Sequence, residues 1–224
     1  NHSDKLVSHV HIPLQSGSSE IVKAMHRKYD LEEFVEKVNY LRKHLPYLAL
    51  STDVIVGFPG ETDEEFAKTY EFLEEIDFYR LHVFKYSPRR GTVAEKMPNQ
   101  IDGNKKEERS NKLIELSNST ENKHNQSYIG KTVKVLFEEF EDGFFKGHTT
   151  NYMMVKVAGE EEQSDKFVNK IMVQNSAGTT VKEYNNTTTA KIELDAKQIK
   201  GSTIIVEYNI VVTNVGEVAG YARN

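Results

Sequence analysis

A carboxamide, a carboxylate and a guanidinium occupy comparable places in this chain. Gln15 follows the run His9-Val10-His11-Ile12-Pro13-Leu14, Asp53 sits inside Ser51-Thr52-Asp53-Val54-Ile55-Val56, and Tyr86-Ser87-Pro88-Arg89 closes a third apolar run. Arg27 lies beyond a short helical pattern and reaches the others only if the turn after that helix doubles back. Such a set suits a small polar ligand, with a carboxylate for Arg27 and hydroxyls for Asp53 and Gln15. Taken singly, each residue also suits a structural role: Asp53 can satisfy nearby backbone, and Arg27 can pair with a surface acid. His9 and His11 share one strand face and raise a metal reading. No third ligand accompanies them, so packed or hydrogen-bonded histidines are the better expectation.

The elements that must position these groups follow from periodicity. Val10, Ile12 and Leu14 alternate as a strand, and Ile21, Val22 and Met25 keep a helical spacing. Asp30 with Glu33 caps a helix carrying Leu31, Phe34, Val35, Val38 and Leu41, which ends near Pro46. A strand over 48–56 runs into the turn Gly57-Phe58-Pro59-Gly60. Thr62 and Glu65 then have the spacing of a capping box, so a helix over 63–76 starts at once, followed by a strand over 81–86. Strand–helix alternation predicts a parallel sheet with helices outside and a ligand mouth at the carboxyl ends of the strands. Three strands make part of an eight-stranded barrel.

Residues 104–127 read as a polar connector helix, with Lys105-Lys106-Glu107-Glu108-Arg109 as a solvated face. From Tyr128 the period becomes two, and Glu141-Asp142-Gly143 supplies a hairpin turn between strands that continue to Val157. Residues 128–158 hold four lysines and four acids. Without a basic stripe, Phe144, Phe145, His148 and Tyr152 are expected to pack a core rather than stack on bases. Beyond about residue 160 the chain turns rich in Asn and Thr. Thr203 to Thr213 alternates there, with Val206, Tyr208, Ile210 and Val212 on one face of a sandwich-type strand.

Composition narrows the classes. The chain has 224 residues and a formal net charge of −5, which does not by itself advertise nucleic acid. It has 0 cysteines, which excludes disulfides and thiolate-held zinc or iron–sulfur clusters within these residues. No apolar run approaches the roughly 20 residues of a membrane helix, and no signal-peptide pattern is present, so no membrane role and a cytoplasmic location are expected. The chain opens on Asn1 and enters a strand pattern almost at once, as a piece of a longer chain would.

Four stretches carry a resemblance. His9-Val10-His11-Ile12-Pro13-Leu14-Gln15-Ser16-Gly17-Ser18, Met25-His26-Arg27-Lys28-Tyr29, Asp53-Val54-Ile55-Val56-Gly57-Phe58-Pro59-Gly60-Glu61-Thr62 and His82-Val83-Phe84-Lys85-Tyr86-Ser87-Pro88-Arg89-Arg90-Gly91-Thr92 resemble the radical S-adenosylmethionine methylthiotransferases. The likeness covers about 1–157. The stretches 84–89, 96–100 and 151–157 look most like the branch acting on threonylcarbamoyladenosine beside the tRNA anticodon. The resemblance implies a partial (β/α) barrel over 1–127 and an incomplete TRAM-like RNA-binding β domain over 128–160, while residues 161–224 depart from it as an unrelated, truncated β-rich tail. It also implies that Gln15, Arg27 and Asp53 contact S-adenosylmethionine, with Val56 and Gly57 against its adenine, and that the anticodon arm of tRNA is the partner. The family's two iron–sulfur clusters hang on cysteines that these residues lack, so this chain is expected to be inactive alone. From about residue 165 the sequence resembles bacterial Ig-like surface-protein repeats, notably at 190–195 and 207–216. The competing readings are a non-catalytic RNA-binding remnant and a piece of a surface adhesin.

Overall fold

The computed structural model describes residues 7–158 together with the strands at 170–174, 180–185 and 203–211. They belong to two compact units whose boundary lies between Ser127 and Tyr128.

In the first unit the order is β1 (His9–His11), α1 (Ser19–Ala24), α2 (Leu31–His44), β2 (Ala49–Val56), α3 (Asp63–Ile76), β3 (Arg80–Lys85) and α4 (Gly103–Gln126), with a single 3₁₀ turn at Ala94–Lys96. The caps are the ones the sequence announces. The Asp30 carboxylate accepts from Glu33 N at 2.8 Å and the Thr62 hydroxyl accepts from Glu65 N at 3.2 Å. The strands form one parallel sheet in the order β1-β2-β3, in a register that sets Asp53 beside His82 and Val56 beside Lys85.

Alternation along the strands gives the sheet two unlike faces. Leu50, Val54 and Val56 of β2 and Leu81 of β3 pack against Phe34 and Val38 of α2, Phe66, Leu73 and Ile76 of α3, and Leu113 and Leu116 of α4. Full burial of each such side chain contributes about 1.5–3 kcal/mol. The opposite face carries His9, His11, Ser51, Asp53, Ile55, His82 and Phe84. Helices on one face and polar groups on the other are the layering of a barrel wall.

The first strand is shorter than its apolar pattern because Pro13 has no N–H to give the ladder. Thr52, fully buried, repairs the gap: its hydroxyl accepts from Leu14 N at 2.9 Å and donates to Ile12 O at 2.7 Å. The chain rejoins the sheet at Gln15, whose N–H donates to Asp53 O and whose carbonyl accepts from Ile55 N, both at 2.8 Å.

In the second unit β4 (Thr132–Glu141), β5 (Phe144–Thr149) and β6 (Met154–Ala158) form an antiparallel meander. Asp142 and Gly143, at φ 54 and 78, make the left-handed two-residue turn between β4 and β5. β7 (Lys170–Gln174), β8 (Thr180–Asn185) and β9 (Thr203–Val211) extend the sheet in the order β6-β5-β4-β9-β7-β8. β9 pairs with β4 from Thr132↔Val211 to Val135↔Tyr208, so strands from both sides of the expected division at 160 share one sheet. Most of the Ig-like reading, including 190–195 and Val212, lies outside the described residues.

Phe145 packs between Phe137 and Phe140, with ring centroids at 5.9 and 4.7 Å, as expected of a core residue. Phe144 and Tyr152 are exposed instead. The Tyr152 ring stacks on His148 at 4.6 Å.

Candidate functional site

At the carboxyl ends of β1–β3 an open cavity of about 560 Å³ is lined by Gln15, Arg27 and Asp53 together with Ile55, Phe58, Phe84, Lys85, Tyr86 and Arg89. Its size is that of a small-molecule site. Gln15 is buried and holds φ 71, a left-handed backbone that costs a non-glycine residue roughly 1–3 kcal/mol. The two-sided bond to β2 enforces it and turns the residue toward the cavity. Arg27 arrives by the doubling back that the sequence required. α1 stops at Ala24, His26 takes φ 53, and Arg27 N donates to Val22 O at 3.2 Å. Residue alternation puts Asp53 on the open face, where its carboxylate lies 3.4 Å from His11 Nε2.

The same alternation separates the remaining pair from this group. Val56 is buried in the helix-side core, and its carbonyl accepts from Tyr86 N at 2.8 Å. Gly57 donates its N–H to Glu61 Oε2 at 3.0 Å and lies under the Lys106 side chain. Neither lines the cavity; Ile55 and Phe58, their outer neighbours, do. Period-two counting along the strand was enough to find Ile55. Thr92, Val93, Ala94 and Met97, which form part of the wall, gave no periodic signal.

Beneath the wall the turn after β2 is locked from α4. Glu61 is 2% exposed and Arg109 3% exposed. Arg109 Nη1 donates to Glu61 Oε1 at 2.8 Å and to Glu61 O at 2.9 Å, and Nη2 donates to Asp63 at 2.9 Å. Burial pushes the Glu61 carboxyl above its ordinary range despite the N–H of Gly57 and the Arg109 guanidinium. Arg109 therefore departs from the solvated face expected for 105–109. Tyr86 packs edge-on against Phe58 at 5.3 Å, with the Lys106 ammonium 5.2 Å over its ring. The Tyr86 hydroxyl is buried without a hydrogen-bond partner among the described residues.

His9 and His11 resolve as the packed reading anticipated. Both bond the Ser51 hydroxyl, at 3.2 and 3.0 Å, and His11 meets His82 edge-on at 5.3 Å. Burial, then the neighbouring His11, Arg80 and His82, hold His9 below its usual value. Among the described residues no group of three or more His, Asp or Glu is arranged to hold a metal ion.

A parallel sheet with a cavity at the carboxyl ends of its strands is the layout of an α/β unit. Residues 3–73 match the Radical SAM superfamily. The threonylcarbamoyladenosine tRNA methylthiotransferase MtaB of Bacillus subtilis (strain 168) is 47% identical over 171 residues, covering 74% of this chain and 38% of that protein. A tRNA-2-methylthio-N(6)-dimethylallyladenosine synthase of Clostridium botulinum (strain Langeland) is 40% identical over 184 residues, covering 80% of this chain and 41% of that protein. Residues 3–73 are thus similar to the Radical SAM superfamily, and the chain is similar in sequence to the tRNA methylthiotransferases. It spans 38% to 41% of the length of these two relatives. A solved structure, the radical SAM enzyme coproporphyrinogen III oxidase (HemN) from Escherichia coli, overlaps half of this chain at TM-score 0.44 and 21% identity, too loosely to argue from.

Proposed function

We propose that this chain is the S-adenosylmethionine-holding part of a tRNA methylthiotransferase that acts on threonylcarbamoyladenosine. The observation that carries the reading is the convergence of Gln15, Arg27 and Asp53 on one cavity at the carboxyl ends of the strands. Arg27 pairs with the ligand's carboxylate, Asp53 accepts from its ammonium or hydroxyl groups, and the Gln15 amide bonds what remains. Ile55 and Phe58 cover the adenine and exclude water from it. When bound beside a reduced iron–sulfur cluster, S-adenosylmethionine supplies a radical that activates an inert C–H bond. The 224 residues include no cysteine to hold such a cluster, so no step through one is assigned to them, and the chain is inactive by itself. Branch choice follows the higher identity to the threonylcarbamoyladenosine enzyme. Residues from Tyr128 open a TRAM-like domain that grips the anticodon arm of tRNA, and the protein works in the cytoplasm. No helix among the described residues is long and apolar enough to cross a membrane.

Calorimetric titration of the chain with S-adenosylmethionine tests the cofactor reading. Saturable binding is expected, weakened roughly tenfold or more by Arg27→Ala and by Asp53→Asn, since a charged hydrogen bond contributes about 1.5–3 kcal/mol. A wild-type chain that shows no binding refutes it.

A further inference from the structure

Asp53 alone among the residues lining the cavity carries a carboxylate, and its backbone does not fix where that carboxylate points. Gln15 N pins the main chain at Asp53 O, while the side chain keeps two torsions of its own. Among the described residues the group that meets the carboxylate is His11, whose Nε2 lies 3.4 Å from Oδ1. Oδ1 is thereby engaged and Oδ2 is left to a ligand. His11 does not itself line the cavity. In the register of β1 on β2 it stands beside Ser51, two residues before Asp53 on the same face. Its Nδ1 lies 3.0 Å from the buried Ser51 hydroxyl, and His9 Nε2 approaches the same oxygen at 3.2 Å. Four polar side chains thus run up the open face of the sheet, from His9 through Ser51 and His11 to Asp53.

The carboxylate sets the direction of that chain. It can only accept, so His11 turns a protonated Nε2 toward it. In the neutral ring Nδ1 then accepts from the Ser51 hydroxyl, and the Ser51 oxygen accepts in turn from His9 Nε2. His9, held below its usual value first by burial, supplies that donor as a neutral ring.

We propose that His11 is a positioning residue for the ligand: it confines the Asp53 carboxylate to the orientation that receives the ligand's ammonium or hydroxyl groups. The inference rests on the function proposed above and adds to it a residue that touches no ligand. A carboxylate already confined gives up less freedom when the ligand arrives, and the saving appears as affinity. The Ser51 hydroxyl fixes the plane of the His11 ring, because it sits buried on β2 between the two histidines. A space-filling role would need only the bulk of the ring; positioning needs the hydrogen on Nε2.

Two amide substitutions separate these roles. In His11→Asn the amide takes the place of Nδ1, so it keeps the Ser51 bond without reaching Asp53. In His11→Gln the amide reaches the place of Nε2 and keeps the contact with Asp53. His11 lies outside the hydrophobic core, so both variants should melt with the wild type. Calorimetric titration with S-adenosylmethionine should find His11→Asn weakened roughly fivefold and His11→Gln within about twofold of wild type. Because His11 acts through Asp53, His11→Asn should add no further loss in an Asp53→Asn background. Equal losses in the two amide variants, no loss in His11→Asn, or penalties that add in the double variant each overturn the assignment. Nitrogen-15 NMR of the imidazole decides the matter without the cofactor. The neutral His11 ring should carry its hydrogen on Nε2, and the Nε2 resonance should move in Asp53→Asn. A wild-type chain that shows this signature yet binds no S-adenosylmethionine upholds the His11–Asp53 coupling and sinks the cofactor reading. A hydrogen on Nδ1, or an Nε2 resonance indifferent to Asp53→Asn, overturns the inference even where the cofactor binds.

Discussion

Replacing Arg109 by methionine removes the counter-charge from a carboxylate that has nowhere else to turn. Glu61 is 2% exposed, and the charged partner bonded to its carboxyl is the 3%-exposed Arg109; Asp63, the second acceptor of that guanidinium, is largely in solvent. Breaking a buried pair from one side costs about 3–5 kcal/mol, a large share of the 5–15 kcal/mol that holds a domain folded. Because the pair ties α4 to the turn between β2 and α3, amide hydrogen exchange in those two elements is the appropriate readout. Protection there should fall between about a hundredfold and several thousandfold. Methionine at 109 combined with Glu61→Gln should recover much of the loss, since a neutral pair no longer strands a charge.

The pH dependence has a definite sign. Burial holds Glu61 above its ordinary 4.5 in the folded chain, so between the two values the folded state binds more protons than the unfolded state. Stability contributed by this group therefore declines as pH rises from about 4.5 through the raised value. Arg109→Met should carry that decline to higher pH, and adding Glu61→Gln should abolish it. A methionine variant whose exchange rates stay within tenfold of wild type would falsify the argument that this pair anchors the turn.

Two further substitutions probe the same wall. Tyr86→Phe removes a buried hydroxyl that has no partner among the described residues and keeps the ring against Phe58, so the melting of the first unit should rise by roughly 1 kcal/mol. A fall would mean the hydroxyl is bonded. Gly57→Ala sets a side chain at φ 74, where its Cβ would stand 2.3 Å from Lys106 Cγ, and should cost about 1–3 kcal/mol in denaturant titration. Lys106→Ala added to it should recover the steric part and leave the backbone part, and an unchanged midpoint in the single variant would contradict the observed turn.

Local rules written into the chain determined much of the first unit. Asp30 and Thr62 cap their helices, and α3 over Asp63–Ile76 follows from a capping box and an apolar stripe. Such signals act over a few residues, through one hydrogen bond or one helical face, and are legible without knowing what lies opposite. Gln15, Asp53 and Arg27 were likewise legible as residue types. Their meeting was not, because it depends on Thr52 bridging the gap left by Pro13 and on His26 reversing the chain after α1. Period-two counting finds Ile55, but the tertiary structure alone decided that Phe58 joins it in the cavity wall while Val56 faces the helix-side core and Gly57 lies under Lys106 of α4. It alone turned Arg109 from one charge in a polar run into the buried tie for that wall. Sequence order cannot disclose such a contact, because Glu61 and Arg109 are 48 residues apart and meet only when α4 packs across the sheet.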